Sequence, residues 1–298
     1  DPVRMLRAVH FAQRMDFVIE PTLEAAIVSE AAALEDASQA RIYFEMGKML
    51  SRGRARGTFL RMHDLGLLGV MLPDLAAFLD EPVEWPVPDG GVHERAAPEP
   101  PGEPDSPLAA GHATWSLLGA ADRWGLVANK APESLPLALL FGPWIMTTWR
   151  RGKRRGFRAF IDHVESVFRP VAVRMNIPRW ATLDMRDALW FLDDLRHPPS
   201  PERARRLVRR AAFRTALSLY ELDLMARGLD TQAVEPWRRL AAEEGVPPAG
   251  ARKPPAERPT RSGSRGTRRR RRRGGRRRRG RGRRDGREPG AGARPDPA

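Results

Sequence analysis

Asp1-Pro2-Val3-Arg4-Met5-Leu6-Arg7-Ala8-Val9-His10-Phe11 opens the chain, and its reading decides the fold. An acid followed by Pro is a good helix start, because the carboxylate accepts free N–H groups and Pro has none to leave unpaired. Met5, Val9 and Ala12 then recur at helical spacing. Asp1, Arg4 and Arg7 stand three apart, so they lie along one face of that helix.

The same signature repeats down the chain. Pro21-Thr22 starts an Ala-rich helix, Ser38 opens one that ends near Ser51-Arg52-Gly53, another covers Thr58–Leu65, and a short one follows Pro73. Further helices are predicted over Leu108–Leu126, Ser134–Trp149, Arg155–Met175, Pro178–Asp194, Ser200–Ala211 and Thr215–Arg227. No segment sustains the two-residue alternation of a strand. The fold class expected is all-α, with multi-helix domains and a disordered arginine-rich C-terminal tail.

Composition shifts set the expected domains: helices over 1–80, a Pro-rich linker or loop over 81–107, a helical body over 108–247 and a tail over 248–298. Glu81–Pro107 holds eight Pro and mostly acidic charge, as a long connection does. Of 298 residues, 52 are Lys or Arg and 37 Asp or Glu, a net charge of +15. Ala249–Ala298 alone holds 20 bases and four acids, so the rest is close to neutral. A tail of this composition has little to bury and repels itself. It binds polyanions by counterion release, with no base reading required. RNA contact is therefore expected at Arg269, Arg270, Arg271, Arg277 and Arg278; the plainer reading is a solubilising tail without a partner.

Several chemistries are excluded or weak. The chain has no Cys, hence no disulfide framework, thiolate metal site or Cys nucleophile. That usage fits a reducing compartment, and the cytoplasm is expected. No stretch approaches the roughly 20 apolar residues of a membrane span, and no signal peptide opens the chain. The first residue is Asp rather than Met, so an N-terminal part is expected upstream. No Walker-type loop or dinucleotide fingerprint occurs. Asp193-Asp194 are adjacent, hence about 100° apart on a helix and poorly placed to chelate one metal. His63-Asp64 matches the dipeptide of metal-dependent phosphohydrolases, with His10, His93 and His112 as conceivable further ligands, but no convincing downstream Asp completes a set. A helix-end role for His63 is the simpler reading. Neither a metal site nor a catalytic residue is expected in this stretch.

A carboxylate beside guanidinium groups places an acceptor next to donors. Adenine and cytosine offer a donor beside an acceptor on their Watson–Crick edges, whereas guanine and uracil present the reverse order. An Asp1/Arg4 pair can therefore select A or C by leaving polar groups of the wrong base unpaired. The plainer alternative is a surface ion pair worth about 0.3 kcal/mol. Two basic clusters suit single-stranded RNA. Arg151, Lys153, Arg154 and Arg155 follow Trp144 and Trp149, a combination that supplies phosphate contacts and base stacking. Arg206 and Arg210 are expected on one helix face. Solvated turns and faces are the alternative for both.

The opening segment resembles the Glu-Asp-x-x-Arg motif of the class II nucleotidyltransferases, which include bacterial poly(A) polymerases and CCA-adding enzymes. Ala40-Arg41-Ile42-Tyr43-Phe44-Glu45-Met46-Gly47-Lys48-Met49-Leu50 is similar to a helix of that family's neck. Ser134–Phe141, Asn176-Ile177-Pro178-Arg179, Arg186-Asp187 and Phe213-Arg214-Thr215-Ala216 resemble the body of bacterial poly(A) polymerases specifically. The resemblance implies that Asp1 and Arg4 read the base of an incoming nucleotide, with Arg7 toward it. It also implies that Arg41 and Glu45 brace the neck and that Lys48 faces RNA or nucleotide. His10 stands where the family has Arg. The implied activity is addition of AMP from ATP, the substrate, to RNA 3′ ends in mRNA polyadenylation and RNA decay. Two Mg²⁺ ions would sit in a catalytic head that these residues do not include, so this stretch alone is expected to be inactive. The implied partners are RNA 3′ ends and a DEAD-box RNA helicase or the RNA-degradation machinery. A CCA-adding enzyme, or a non-catalytic RNA-binding protein, is the alternative.

Deleting residues from Ala249 onward should flatten the dependence of log RNA affinity on log salt. An unchanged slope in a salt titration would show that the tail is not the electrostatic binder.

Overall fold

The computed structural model describes residues 1–81, 112–153 and 155–246, with no side-chain description at His112. Most of the linker (82–107), the tail (248–298), His93 and Arg154 lie outside the described residues. So do Arg269, Arg270, Arg271, Arg277 and Arg278.

Every regular element among the described residues is helical. The first group is α1 (Val3–Met15), α2 (Pro21–Ser29), α3 (Gln39–Ser51), α4 (Ala55–Asp64), α5 (Leu67–Met71) and α6 (Pro73–Asp80). The second is α7 (His112–Trp124), α8 (Leu135–Arg151), α9 (Phe157–Arg174), α10 (Arg179–Arg196), α11 (Pro201–Val208), α12 (Phe213–Ala226) and α13 (Glu235–Glu243). Short 3₁₀ turns precede α3 and α13. The all-α expectation holds across these residues.

Local chemistry accounts for many of the boundaries. Asp1 Oδ1 accepts the Val3 N–H at 3.2 Å just ahead of α1, whose N-cap position is Pro2 rather than Asp1. Glu20 accepts the Leu23 N–H at 3.1 Å at the start of α2, with Pro21 in the first turn. The apolar stripe of α1 is Val3, Leu6, Val9 and Ala12 rather than Met5, Val9 and Ala12, and Met5 is only half-buried. The helix expected over Ser200–Ala211 ends at Val208: the Arg210 N–H turns back to the Leu207 carbonyl at 2.9 Å, and the chain swings into α12.

One hydrophobic core runs from Val3 to Ala241, and the described helices fall in one compact unit, Asp1–Arg252. In the second group α12 packs on α7 and α10, and α8 lies between α7 and α10. Phe141 and Phe168 meet at 4.9 Å between α8 and α9. At Gly142 a side chain would meet Leu189 Cδ2 at 2.9 Å, so α8 and α10 approach as closely as a glycine allows. Ser134 and Thr215, both buried, converge on Asp184, with Thr215 Oγ1 donating to it at 2.6 Å. That polar cluster joins the start of α8 to α10 and α12.

The two groups of helices meet at α4 and α7. The residue before α4, Arg54, is left-handed (φ 61°) and supplies no side-chain cap. The cap comes from α7 instead: the Asp122 carboxylate accepts the Ala55 N–H at 2.7 Å and the Arg56 N–H at 3.0 Å. Burial pushes the Asp122 carboxyl above its ordinary 3.8, and the two N–H donors and nearby Arg54 and Arg123 pull only partly against it.

Asp122→Ala should lower stability in urea unfolding by about 1–2 kcal/mol, because two helix N–H groups lose their acceptor. Asp122→Asn keeps one acceptor oxygen and should cost less. A raised carboxyl pKa means that the folded state binds the proton more tightly than the unfolded one. The wild type should therefore gain stability relative to Asp122→Asn as pH falls toward 3.8.

Candidate nucleotide and RNA interface

Helices α1 and α3 lie side by side and bring five of the six expected first-group residues into contact. Asp1 Oδ2 accepts from Arg41 Nη2 at 2.8 Å while its other oxygen accepts the Val3 N–H. Glu45 Oε1 accepts from Arg7 Nη2 at 2.7 Å and from Lys48 Nζ at 3.0 Å. Arg41 and Glu45 therefore do not pair with each other, as their spacing allowed. Each reaches across to α1, because the core stripe of α3 (Ile42, Met46, Met49) turns both toward that helix.

Arg4, the sixth, is exposed one turn before Arg7 and makes no ion pair with Asp1 or any other described residue. Sequence spacing made Asp1 and Arg4 partners; the fold gives the carboxylate to Arg41 and leaves Arg4 to solvent. The face thus carries four cations (Arg4, Arg7, Arg41, Lys48) and two carboxylates (Asp1, Glu45).

Glu45 is the hub of this face. Its side chain is only 8% exposed, whereas Arg7 is 45% exposed. Burial alone would push its carboxyl up. The hydrogen bonds and charges of Arg7 and Lys48 outweigh burial and hold it below its ordinary 4.5. Phe44, which sequence reasoning passed over, stands beside the hub. Its ring is 63% exposed, and Lys48 Nζ lies 4.2 Å from the ring centroid.

His10 does not join the face. It is buried, with Nδ1 at 3.4 Å from Thr58 Oγ1 on α4. The Thr58 hydroxyl donates to the Arg54 carbonyl at 2.8 Å, so the imidazole must donate through Nδ1. Its Nε2 is buried without a partner. Burial, then Arg14 and Arg52, push its pKa below 6.5, and the ring is neutral at pH 7. The position at which the resembled family has Arg is here part of the α1–α4 contact.

The other basic clusters are more dispersed. Arg151 pairs with Glu81 at 2.7 Å, Arg155 donates to the Gly152 carbonyl at 2.8 Å, and Lys153 is exposed. Trp144 is buried, and Trp149 is half-buried and packs against Phe160 at 5.3 Å in a T-shaped contact, so the rings are largely taken up by the core. Arg206 is exposed on α11, but Arg210 lies beyond the helix end, so the two do not share a helix face. Arg209 Nε pairs with Glu244 at 2.7 Å, and Arg203 with Asp194 at 2.8 Å. His63 Nε2 lies 3.1 Å from Asp80, near the end of α4. No group of three or more His, Asp or Glu among the described residues is arranged to hold a metal ion.

Two family models match the chain. One, described as "Probable RNA and SrmB- binding site of polymerase A", matches residues 16–79. The other, described as "Polymerase A arginine-rich C-terminus", matches residues 153–279. Poly(A) polymerase I of Haemophilus influenzae is 33% identical over 81 residues, which are 27% of this chain and 18% of that protein. Poly(A) polymerase I of Salmonella typhimurium is likewise 33% identical over 81 residues, 17% of its length. The matched stretch thus spans less than a fifth of these curated relatives.

Glu45→Gln should lower stability at pH 7 by about 1–2 kcal/mol, since two charge-assisted hydrogen bonds become neutral ones. A carboxyl held below 4.5 adds stability above that pH, which is lost as pH falls through its folded-state value. Thermal melts of Glu45→Gln should therefore lose part of the wild type's decline below pH 4.5.

Proposed function

We propose that the chain, part of the bacterial poly(A) polymerase family on the matches above, supplies the nucleotide- and RNA-binding helices of an enzyme that adds AMP from ATP to RNA 3′ ends. The observation that carries this reading is the α1–α3 face, where four cations surround two carboxylates on rigid helices. Phosphate needs such cations, and a base edge needs an acceptor beside donors. Asp1 supplies the acceptor, Arg4 the free guanidinium next to it, and Arg7 a third contact toward the nucleotide. Arg41, Glu45 and Lys48 hold these groups at fixed positions.

The described residues offer no metal-holding cluster, so no step of this reading runs through a metal here. The resemblance assigns Mg²⁺ and its carboxylates to a head domain, and this stretch by itself binds without transferring AMP. The names of the relatives favour this reading over a CCA-adding enzyme. Arg151, Lys153, Arg154, Arg155, Arg206 and Arg210 extend the RNA path, and the arginine tail supplies sequence-independent affinity. The description of the model matching 16–79 supports a protein partner as well as RNA, for which a DEAD-box helicase remains the proposal. No helix among the described residues is long and apolar enough to cross a membrane. Work on RNA in the cytoplasm follows from the same reading.

In the enzyme with its head domain, Asp1→Ala or Arg4→Ala should reduce the preference for ATP over GTP and UTP by about tenfold or more, with a smaller effect on RNA affinity. Unchanged ATP selectivity in single-nucleotide addition assays would overturn the assignment.

A further inference from the structure

Phe44 has no structural work on α3. The helix buries Ile42, Glu45, Met46, Met49 and Leu50, whereas the Phe44 ring is 63% exposed. Water solvates an exposed phenyl ring poorly, and a polar side chain at this position would spare that surface. One oriented cation lies against the ring. Lys48 Nζ is 4.2 Å from its centroid and is tethered to Glu45, which also holds Arg7. Arg41, one turn back on the same helix, is tethered to Asp1.

A flat apolar face with one ammonium against it, and two further tethered cations on the same α1–α3 surface, fits a planar ligand that carries negative charge. A nucleobase attached to its phosphate has that chemistry, whereas an apolar side chain of a protein partner would leave the cations unused. The Lys48 contact with the ring is weak at such an exposed site. A base can displace the ammonium, which then turns to the phosphate. We infer that Phe44 is a base-stacking platform, with Lys48, Arg7 and Arg41 holding the attached phosphate. This inference rests on the nucleotide- and RNA-binding reading above and deepens it. Every base has a π face, so the platform supplies position and affinity rather than base identity. The base belongs either to an RNA strand or to a free nucleoside triphosphate.

The test uses the whole chain with two probes: a short oligo(A) RNA carrying one 2-aminopurine, and 2-aminopurine riboside triphosphate. Stacking quenches 2-aminopurine fluorescence, whereas electrostatic binding by the tail does not. Binding should quench at least one probe, and which one identifies the source of the base. Phe44→Leu, which keeps apolar bulk without a π face, should abolish that quenching and weaken the probe's affinity about tenfold at an unchanged salt slope. Phe44→Trp should retain both. Because the ring is exposed, the variants should melt with the wild type. Equal quenching and affinity in the wild type and Phe44→Leu would overturn the platform while leaving the binding reading intact. If the wild type binds neither probe, the binding reading falls, and the platform with it.

Discussion

The Asp122 carboxylate at the start of α4 is the contact on which the candidate interface depends. Arg54 enters α4 in a left-handed conformation and offers no cap of its own, so the first N–H groups of the helix need an acceptor from elsewhere. Asp122 reaches them from α7, sixty-seven residues on in sequence. Once α4 is fixed, Thr58 anchors the His10 ring of α1, and Arg61 pairs with Glu24 of α2. The position of α1, and with it Asp1, Arg4 and Arg7, is therefore set from the second group of helices.

Glu45 plays the corresponding part for side chains. A nearly buried carboxylate must be compensated, and here two cations compensate it from different helices. Arg7 and Lys48 are thereby held in one geometry without being buried themselves, at 45% and 28% exposure. Cations preoriented in this way lose less conformational freedom when an anion arrives. The neutral, buried His10 adds no competing charge to the face.

The helices were legible because their starts are marked by Pro, Ser and acids, and because their apolar residues recur at helical spacing. α2, α3, α6, α8 and α10 lie within a few residues of the expected bounds. α5 and α13 escaped notice: five and nine residues give periodicity little room. Partnerships were harder to read. Local spacing proposed Asp1 with Arg4, but the fold pairs Asp1 with Arg41, and Arg41 and Glu45, four apart on α3, each pair across to the α1 segment. Spacing along one helix ranks neighbours on that helix only, and a buried carboxylate takes whichever donor the adjoining helix presents. Phe44 escaped for a related reason. In the sequence it is one apolar residue among several on α3, and only the packing of Ile42 and Met46 against the core shows that its ring turns outward.

Affinity and selection make different physical demands on this chain. The twenty bases of the last fifty residues are matched to polyanions of any sequence, and their contribution falls with salt. Discrimination between bases needs donors and acceptors at fixed positions within a few tenths of an ångström, and a polycation has none. On α1 and α3 the backbone is helical, the carboxylates are shared between helices, and the guanidinium of Arg4 is free to turn toward a ligand. On the proposed reading, selectivity for a base resides on this helical face, and strengthening the tail would raise binding to every RNA alike without improving the choice among nucleotides.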